Sequence, residues 1–259
     1  MEAGYRELAA RHAREWDEEV ERIYRRGHGP LPSQGEVIGA VNRAAAPEDV
    51  VVCAAGSLPG DLHKLWRARD PKSYHVEYGF SCMGYEIAGG MGVKLAAPER
   101  EVYVMVGDGS WLMMSSEIVT AVQERCKLIV VLIDNHGFAS IGGLSAALGS
   151  QGFGTEYRFR TADGRLAGER LPVDLAANAE SLGACVLRVR DLAGLEQALR
   201  EAKSVDRPVV ISIETDREAR VGPYESWWDV PVAEVSSMPT VQTARRAYEG
   251  ERARERRHL

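Results

Sequence analysis

The sequence has no long apolar run, and no stretch of it approaches the roughly 20 consecutive apolar residues that a membrane-spanning helix needs. It also lacks the pattern of a secretory signal peptide. The four cysteines, Cys53, Cys82, Cys126 and Cys185, stand far apart without a Cys-x-x-Cys pair. We therefore expect reduced, buried thiols rather than disulfides or a zinc site. These absences predict a cytoplasmic protein that does not cross a membrane.

Acidic residues outnumber basic ones, and the formal net charge of −6 gives no general reason to expect nucleic acid as a partner. The Arg-rich segment after Val241 also carries glutamates, which favours a solvated helix over a nucleic-acid-binding arm. No internal repeat or low-complexity segment is present. A length of 259 residues is enough for one large α/β domain with extensions, or for two small domains.

The most informative stretch has the pattern of a strand, a helix and a second strand. The first strand, 102–106, ends in Gly107-Asp108-Gly109-Ser110, a helical pattern follows from about Leu112 to Arg125, and the second strand, 128–133, ends in Asp134-Asn135-His136-Gly137-Phe138. Two strands joined by one helix should be parallel, with a right-handed crossover. Both polar clusters then lie at the carboxyl ends of their strands, the edge at which open α/β sheets bind ligands.

The two clusters have compatible chemistry. Asp108 offers a carboxylate and Asn135 offers an amide oxygen, and these hard oxygen ligands suit Mg²⁺ or Ca²⁺. The glycines around Asp108 let backbone N–H groups approach an anion, towards which the following helix points its positive end. The pair predicts a site for a divalent ion and a diphosphate, although Asp, Asn and Gly are also the ordinary residues of strand-to-loop turns.

The rest of the chain continues the α/β pattern. A capping box at Ser33–Glu36 opens a helix, and the apolar run 50–55 is typical of a strand buried on both faces. We expect one doubly wound α/β domain with a mostly parallel sheet and helices on both faces. The predicted divisions are an N-terminal amphipathic helix and linker (1–32), the α/β domain (33–215), and a C-terminal coil and charged helix (216–259).

Three further segments are candidates for ligand contact. Gly56 and Ser57 follow the strand 50–55 and can offer a backbone N–H and a hydroxyl to a phosphate, or simply form a turn. The second half of segment 78–96 is a helical pattern rich in small residues, which lets a helix lie close to its neighbour. Segment 139–160 is rich in Gly and Ser, so we expect an irregular loop that faces the substrate, or a solvent-exposed insertion.

The order Gly107-Asp108-Gly109-Ser110, helix, apolar strand and Asn135 resembles the cofactor motif of thiamine-diphosphate (ThDP) enzymes. The resemblance implies bound ThDP and Mg²⁺. It assigns the metal to Asp108, Asn135 and the carbonyl of Gly137. It further implies that Met83 wedges the cofactor into a bent conformation, and that the Ser81 carbonyl accepts a hydrogen bond from the aminopyrimidine. The implied cofactor-binding residues are Gly56, Ser57, Ser81, Met83, Gly107, Asp108, Gly109, Ser110, Asn135, Gly137 and Phe138.

Among ThDP enzymes, segments 54–62, 75–79 and 152–156 look like the trihydroxycyclohexane-1,2-dione hydrolases of myo-inositol catabolism. That likeness implies a small carbonyl substrate and the cleavage of a C–C bond next to a carbonyl. Segment 139–144 departs from the hydrolase pattern, which keeps open an acyloin-forming, acetolactate-synthase-like carboligase. A non-catalytic assembly domain is a second alternative, against which the intact Asp108 and Asn135 argue.

The resemblance also implies a second domain. ThDP enzymes of this kind use a pyrimidine-binding (PYR) domain, which precedes the diphosphate-binding (PP) domain and supplies the glutamate that activates the cofactor. Here the PP pattern follows a single N-terminal helix. We therefore expect a PP-domain subunit that forms a hetero-oligomer with a PYR-domain protein, or a truncated piece of a larger enzyme. No catalytic residue is predicted within the chain itself.

Overall fold

The computed structural model describes residues 3–77, 79–224 and 230–255. Residues 225–229, which belong to the predicted C-terminal coil, lie outside the described residues. The chain divides into two compact units. The first comprises residues 1–135 and 173–221, and the second comprises residues 136–172 and 222–259.

The first unit contains a six-stranded parallel sheet. Its strands are β1 (Val50–Cys53), β2 (Tyr74–Val76), β3 (Val102–Gly107), β4 (Ile129–Asp134), β5 (Cys185–Val189) and β6 (Val209–Glu214). Their spatial order is β2-β1-β3-β4-β6-β5, and every neighbouring pair is parallel. The predicted fold class, an α/β domain with a mostly parallel sheet, is confirmed.

Helices cover both faces of this sheet, as the prediction of a doubly wound domain requires. They are α1 (Ala3–Tyr24), α2 (Gln34–Ala44), α3 (Ser57–Leu65), α4 (Tyr85–Ala96), α5 (Asp108–Met114), α6 (Glu117–Gln123), α8 (Leu175–Ser181) and α9 (Leu192–Ala202). Alternate strand residues point to opposite faces. Val51 and Tyr103 therefore join a core with α1, α2, α3 and α9, whereas Val52 and Val104 join a core with α4, α5, α6 and α8.

The strand order reverses between β1 and β3, the position at which a doubly wound sheet has a crevice. From β1 the chain passes through α3 to β2 on one side, whereas β3 lies on the other side of β1 and leads through α5 and α6 to β4. The loops that follow β1 and β3 therefore run to opposite faces. Such a point, where the strand order reverses, is where doubly wound folds bind ligands.

Local signals set the ends of several helices. The predicted capping box at Ser33 is confirmed, since the Ser33 side chain accepts the Glu36 N–H and the Glu36 carboxylate accepts the Ser33 N–H. Asp191 caps α9 by accepting the Gly194 N–H at 2.7 Å. The C-terminal part of α1 packs on the core that contains Val51 through Val20, Ile23 and Tyr24, whereas Tyr5 and Leu8 near its start are exposed. None of the helices in the described part of the chain combines the length and apolar composition that a membrane span requires.

The single helix predicted over 112–125 is wrong. The structure has two shorter helices, α5 and α6, and the first of them already begins at Asp108. Ser115 and Ser116 stand between them. Serine side chains favour helix ends over helix interiors because they compete for backbone hydrogen bonds, which explains a break at this position.

The second unit contains α7 (Ala139–Ala147) and α10 (Pro239–Arg252). The prediction of an irregular segment over 139–160 is therefore wrong for its first part, where Ala and Leu residues favour a helix more strongly than Gly142 and Gly143 oppose it. A small core of Val232, Val241 and Tyr248 lies within this unit.

The prediction of four buried thiols is wrong for two residues. All four cysteines are free, but only Cys53 and Cys126 are buried, whereas Cys82 is exposed and Cys185 is half-buried. Cys82 precedes α4 in an irregular segment, and Cys185 begins β5 at the edge of the sheet. At neither position is the side chain covered by helices and neighbouring strands as fully as a side chain of a central strand is.

A buried carboxylic acid lies in α3. Asp61 is buried and accepts a hydrogen bond from the Gln34 side-chain amide at 2.7 Å, and Gln34 also accepts a hydrogen bond from Ser57 Oγ at 3.3 Å. Burial raises the pKa of Asp61 to about 6, against the lowering effect of the Gln34 hydrogen bond. The ionised form is thus disfavoured in the folded chain.

The small residues of α4 allow it to lie close to β3. A Cβ at Gly90 would lie 2.3 Å from Val104 Cγ2, whereas a Cβ at Gly92 would meet no described atom within 4 Å. We predict that Gly90→Ala lowers the free energy of unfolding by about 1–3 kcal/mol through overpacking. Gly92→Ala is the matched control and should raise it by up to about 1 kcal/mol through helix propensity. Urea denaturation of both variants measures this, and equal effects would contradict the packing.

Asp61 gives a pH-dependent prediction. Its folded pKa of about 6 lies above its ordinary value of 3.8, so the folded chain holds more protons than the unfolded chain between these values. This group therefore costs stability as the pH rises from about 4 to about 6. We predict that Asp61→Asn matches the wild type near pH 4 and exceeds its unfolding free energy by up to about 3 kcal/mol at pH 7. A difference that does not change with pH in denaturation experiments would contradict it.

Candidate functional site

Asp108 connects the ends of two neighbouring strands. β3 pairs with β4 in a register that puts Gly107 opposite Ile133. The Asp108 side chain is 1% exposed. Its Oδ1 accepts the Gly109 N–H at 2.8 Å, and its Oδ2 accepts the Asn135 N–H at 3.2 Å. The structure thus brings the two predicted clusters together at the carboxyl edge of the sheet.

Asn135, whose backbone N–H contacts this carboxylate, has an unused oxygen on its side chain. Asn135 is 8% exposed, and its Oδ1 has no hydrogen-bond partner among the described residues. Buried polar atoms in proteins almost always have a partner, so an orphaned one requires an explanation. An amide oxygen next to a carboxylate is the kind of ligand set that hard divalent cations take. The residues present therefore fit a metal ion.

Two glycines at this edge leave open space. A Cβ at Gly56, after β1, or at Gly107, at the end of β3, would meet no described atom within 4 Å. Gly56 has a φ of +94°, which favours glycine. Gly107 has an extended backbone that any residue adopts. The backbone therefore does not require glycine here, and the consequence of the missing side chain is the open space beside it. Room beside backbone N–H groups fits an anion such as a diphosphate.

Ser110 is buried in the first turn of α5 and does not face solvent. Its hydroxyl donates to the Glu86 carboxylate, with both oxygens at 2.7 Å, and accepts the Gly84 N–H at 2.8 Å. The Ser110 hydroxyl is therefore engaged by Glu86, just as the Gly109 N–H is engaged by Asp108 Oδ1. The Ser57 hydroxyl is similarly engaged with Gln34.

The predicted contacts to the thiamine half lie in the segment before α4. Ser81 is exposed and has a φ of +52°, a left-handed conformation that is uncommon for serine. Met83 is half-buried. Gly84 follows with a φ of +93°, and a Cβ there would lie 2.8 Å from Met114 Cβ. A non-glycine left-handed residue is a strained feature of the kind that occurs at binding sites.

Gly137 and Phe138 belong to the second unit. Gly137 has a φ of +155°, and a Cβ there would lie 2.3 Å from the Thr155 carbonyl oxygen, so the turn requires glycine. The Phe138 N–H donates to that same carbonyl at 2.9 Å, and its ring makes an edge contact with Tyr157. The roles of the Gly137 carbonyl and of Phe138 at the cofactor stay predictions.

Two acidic residues were missed by the reasoning from sequence. Glu86 is 1% exposed, and burial raises the pKa of its carboxyl above the ordinary value. Glu77 accepts the N–H groups of Cys82 and Phe80, which lower the pKa of its carboxyl. The available signal for Glu86 was a carboxylate among the small and apolar residues that open α4. Glu77 gave no such signal, because its partners are backbone groups.

The family of the chain emerges from its similarity to known proteins. Residues 54–213, more than half of the chain, match the family described as "Thiamine pyrophosphate enzyme, C-terminal TPP binding domain". Thiamine pyrophosphate is another name for ThDP. A structure titled Rhodococcus jostii RHA1 thiamine diphosphate-dependent 4-hydroxybenzoylformate decarboxylase superposes with a TM-score of 0.61 at 19% identity. It covers 73% of this chain and 34% of the decarboxylase chain, and at this identity it supports the fold alone.

Curated relatives are similar at the level of sequence. The 3D-(3,5/4)-trihydroxycyclohexane-1,2-dione hydrolases of Bacillus cereus and Bacillus anthracis are each 46% identical over 217 residues. Each match covers 83% of this chain but only 34% of the relative. The chain therefore belongs to the thiamine pyrophosphate enzyme family, matches its C-terminal cofactor-binding domain, and has ThDP as its cofactor.

Proposed function

We propose that the chain is the diphosphate- and metal-binding part of a ThDP-dependent enzyme that breaks or makes a C–C bond next to a carbonyl. The reaction proposed first is hydrolytic cleavage of a cyclic 1,2-diketone. The observation that carries the proposal is the buried carboxylate of Asp108 beside the unpartnered amide oxygen of Asn135. A buried oxygen pair of this kind has a clear use in holding a cation against a phosphate group.

The residues of the chain divide the task of holding the cofactor. Asp108, Asn135 Oδ1 and the Gly137 carbonyl are the proposed ligands of Mg²⁺, which neutralises the diphosphate and fixes its place. The proposed donors to the diphosphate oxygens are backbone N–H groups of the segments at Gly56 and at Gly107–Gly109. The reason is that no side chain fills the space beside Gly56 and Gly107. The Ser57 and Ser110 backbones complete this group.

The thiamine half is assigned to a different segment of the chain. Met83 supports the bend of the cofactor by its bulk, and the Ser81 carbonyl accepts a hydrogen bond from the aminopyrimidine. When bound, ThDP supplies an electron sink for the bond next to the substrate carbonyl. The contribution of the chain is to hold the cofactor at both ends and to keep its charge neutralised.

The activating glutamate comes, in this proposal, from a PYR domain on a partner protein. The match to the hydrolases covers only 34% of their length. Within this chain, Glu86 is occupied by hydrogen bonds from the Gly84 N–H and from the Ser110 hydroxyl in α5. Exposed apolar side chains on α5 and α6, directly after Asp108, support a partner surface: Leu112, Met113, Met114, Val119 and Val122.

The choice between hydrolysis and carboligation depends on the substrate side of the site. The 46% identity to the trihydroxycyclohexane-1,2-dione hydrolases supports hydrolysis. The departure of segment 139–144 from the hydrolase pattern supports the alternative, an acetolactate-synthase-like carboligase, since this segment directly follows the proposed metal ligands. A non-catalytic assembly domain is the weakest alternative, because such a domain has no use for Asp108 and Asn135.

The metal assignment predicts the effect of one substitution. Asp108→Ala removes a carboxylate ligand and the acceptor of two backbone N–H groups. We predict that it weakens Mg²⁺-dependent ThDP binding by more than about 100-fold, since even outer partners of metal ligands matter by roughly 10- to 100-fold. Calorimetry measures this. Asp191→Ala, which removes the cap of α9, is the control and should keep wild-type affinity. Unchanged affinity in Asp108→Ala would refute the assignment.

The partner proposal predicts activity only after reconstitution. If a partner supplies the activating carboxylate, a purified chain of these 259 residues should turn over neither a cyclic 1,2-diketone nor pyruvate. Addition of a PYR-domain protein should restore turnover. A ring-opened acid would identify the hydrolase, and an acyloin formed from pyruvate would identify the carboligase. Turnover by the chain alone would count against the divided site.

A further inference from the structure

The segment Phe80–Gly84 carries both residues that the proposed function assigns to the thiamine half of the cofactor, Ser81 and Met83. The segment connects β2 to α4 and belongs to neither. Its backbone N–H groups therefore have no partners from the regular hydrogen bonding of a helix or of the sheet. The carboxylates of Glu77 and Glu86 instead accept the N–H groups of every second residue, 80, 82 and 84.

Glu77 holds the first part of this segment. One of its carboxylate oxygens accepts the Phe80 N–H at 3.1 Å, and the other accepts the Cys82 N–H at 2.7 Å. These two donors flank Ser81, the residue in the left-handed conformation. A strained residue of this kind persists only where its surroundings fix it. A carboxylate that binds the N–H groups on both sides of Ser81 does so directly.

Glu86 holds the end of the segment. Its Oε2 accepts the Gly84 N–H, directly after Met83, at 3.0 Å, and the Ser110 hydroxyl, which Glu86 itself holds, shares this N–H at 2.8 Å. The same carboxyl group accepts the Ser110 hydroxyl, and its Oε1 accepts the Ala55 N–H at 3.4 Å. Ala55 lies in the loop after β1 and Ser110 lies in α5, so this one group joins the three segments at the crevice. If Glu86 only capped the start of α4, the contact with the Gly84 N–H would be enough, and the contacts with Ala55 and Ser110 would not be needed.

We propose that Glu77 and Glu86 are positioning residues for the cofactor. They hold the N–H groups of residues 80, 82 and 84, and so present the residues between them, Ser81 and Met83, to the thiamine half. Glu86 additionally ties this segment to the diphosphate side through Ala55 and Ser110, whereas Glu77 acts on the thiamine side alone. The proposal rests on the proposed function of the site, and it assigns no step of the reaction to either carboxylate.

Glutamine is the sharpest substitution at both positions. It keeps the size of the side chain and one oxygen acceptor, but it replaces the second oxygen with an NH₂ group that cannot accept an N–H. Glu77→Gln therefore leaves either Phe80 or Cys82 without its partner. The matched control is Glu36→Gln, because Glu36, like Glu86, is 1% exposed and its carboxylate accepts backbone N–H groups, as those of Glu77 and Glu86 do. Those groups belong to Ser33 and His28, which lie outside the segment 80–84.

The first measurement is amide hydrogen exchange of the full chain without cofactor. Glu77→Gln and Glu86→Gln should speed exchange in the segment 80–84 by at least about tenfold, whereas Glu36→Gln should leave it as in the wild type. This result does not depend on ThDP binding. Wild-type exchange in Glu77→Gln, a half-exposed position at which folding is not at stake, would overturn the proposal.

The second measurement compares the affinity for ThDP with the affinity for inorganic pyrophosphate, both with Mg²⁺, by calorimetry. Glu77→Gln should weaken ThDP binding at least about tenfold and leave pyrophosphate binding within about twofold. Glu86→Gln should weaken the binding of both ligands, and Glu36→Gln should change neither affinity. A merely structural role would instead lower both affinities equally in Glu77→Gln and would overturn the proposal.

The two hypotheses fail in different ways. If the wild-type chain bound neither ThDP nor pyrophosphate, the proposed function would fail. If the wild type bound both ligands and Glu77→Gln kept the wild-type ratio of the two affinities, the cofactor site would stand and the positioning role would be refuted.

Discussion

The structure depends on the hydrogen bond between the Asp108 carboxylate and the Asn135 backbone N–H. It joins the ends of two neighbouring central strands, β3 and β4. Because parallel pairing fixes the register of β3 and β4, Asp108 and Asn135, which directly follow these strands, meet at the same edge of the sheet. The core on each face is then free to vary, provided that these two strands keep their alignment. The chemistry of the site is therefore a consequence of the sheet.

A second constraint is that this edge contains more backbone N–H groups than a sheet or helix uses. Gly56 and Gly107 leave open space beside the N–H groups of their own segments. The carboxylates of Glu77 and Glu86 accept the N–H groups of the segment before α4. Negative side chains hold the scaffold, whereas the negative cofactor needs a cation. This division explains how an acidic chain can serve an anionic ligand, since these carboxylates are occupied by backbone donors and that of Asp108 is assigned to the metal.

Much of the fold and the centre of the site could be predicted from the sequence. Apolar runs predicted the buried strands, and the order from Gly107 to Asn135 predicted two clusters at one edge. What failed depends on tertiary context. The break at Ser115 and the helix after Phe138 reflect a close balance of local propensities. The role of Glu77 could not be predicted, since a side chain that binds backbone groups across a loop leaves no repeating pattern in the sequence, and the polar position of Glu86 in α4 gave a signal but not its partners.

The central claim is that Asp108 and Asn135 together hold a cation against the cofactor. A crystal structure of the assembled protein with ThDP and Mn²⁺ in place of Mg²⁺ tests it most directly, because the anomalous signal of manganese identifies the ion. The account predicts one peak within bonding distance of the Asp108 carboxylate and Asn135 Oδ1, with diphosphate oxygens on its other side. Bound ThDP with the ion elsewhere, or with Asn135 Oδ1 turned away from it, would contradict the account.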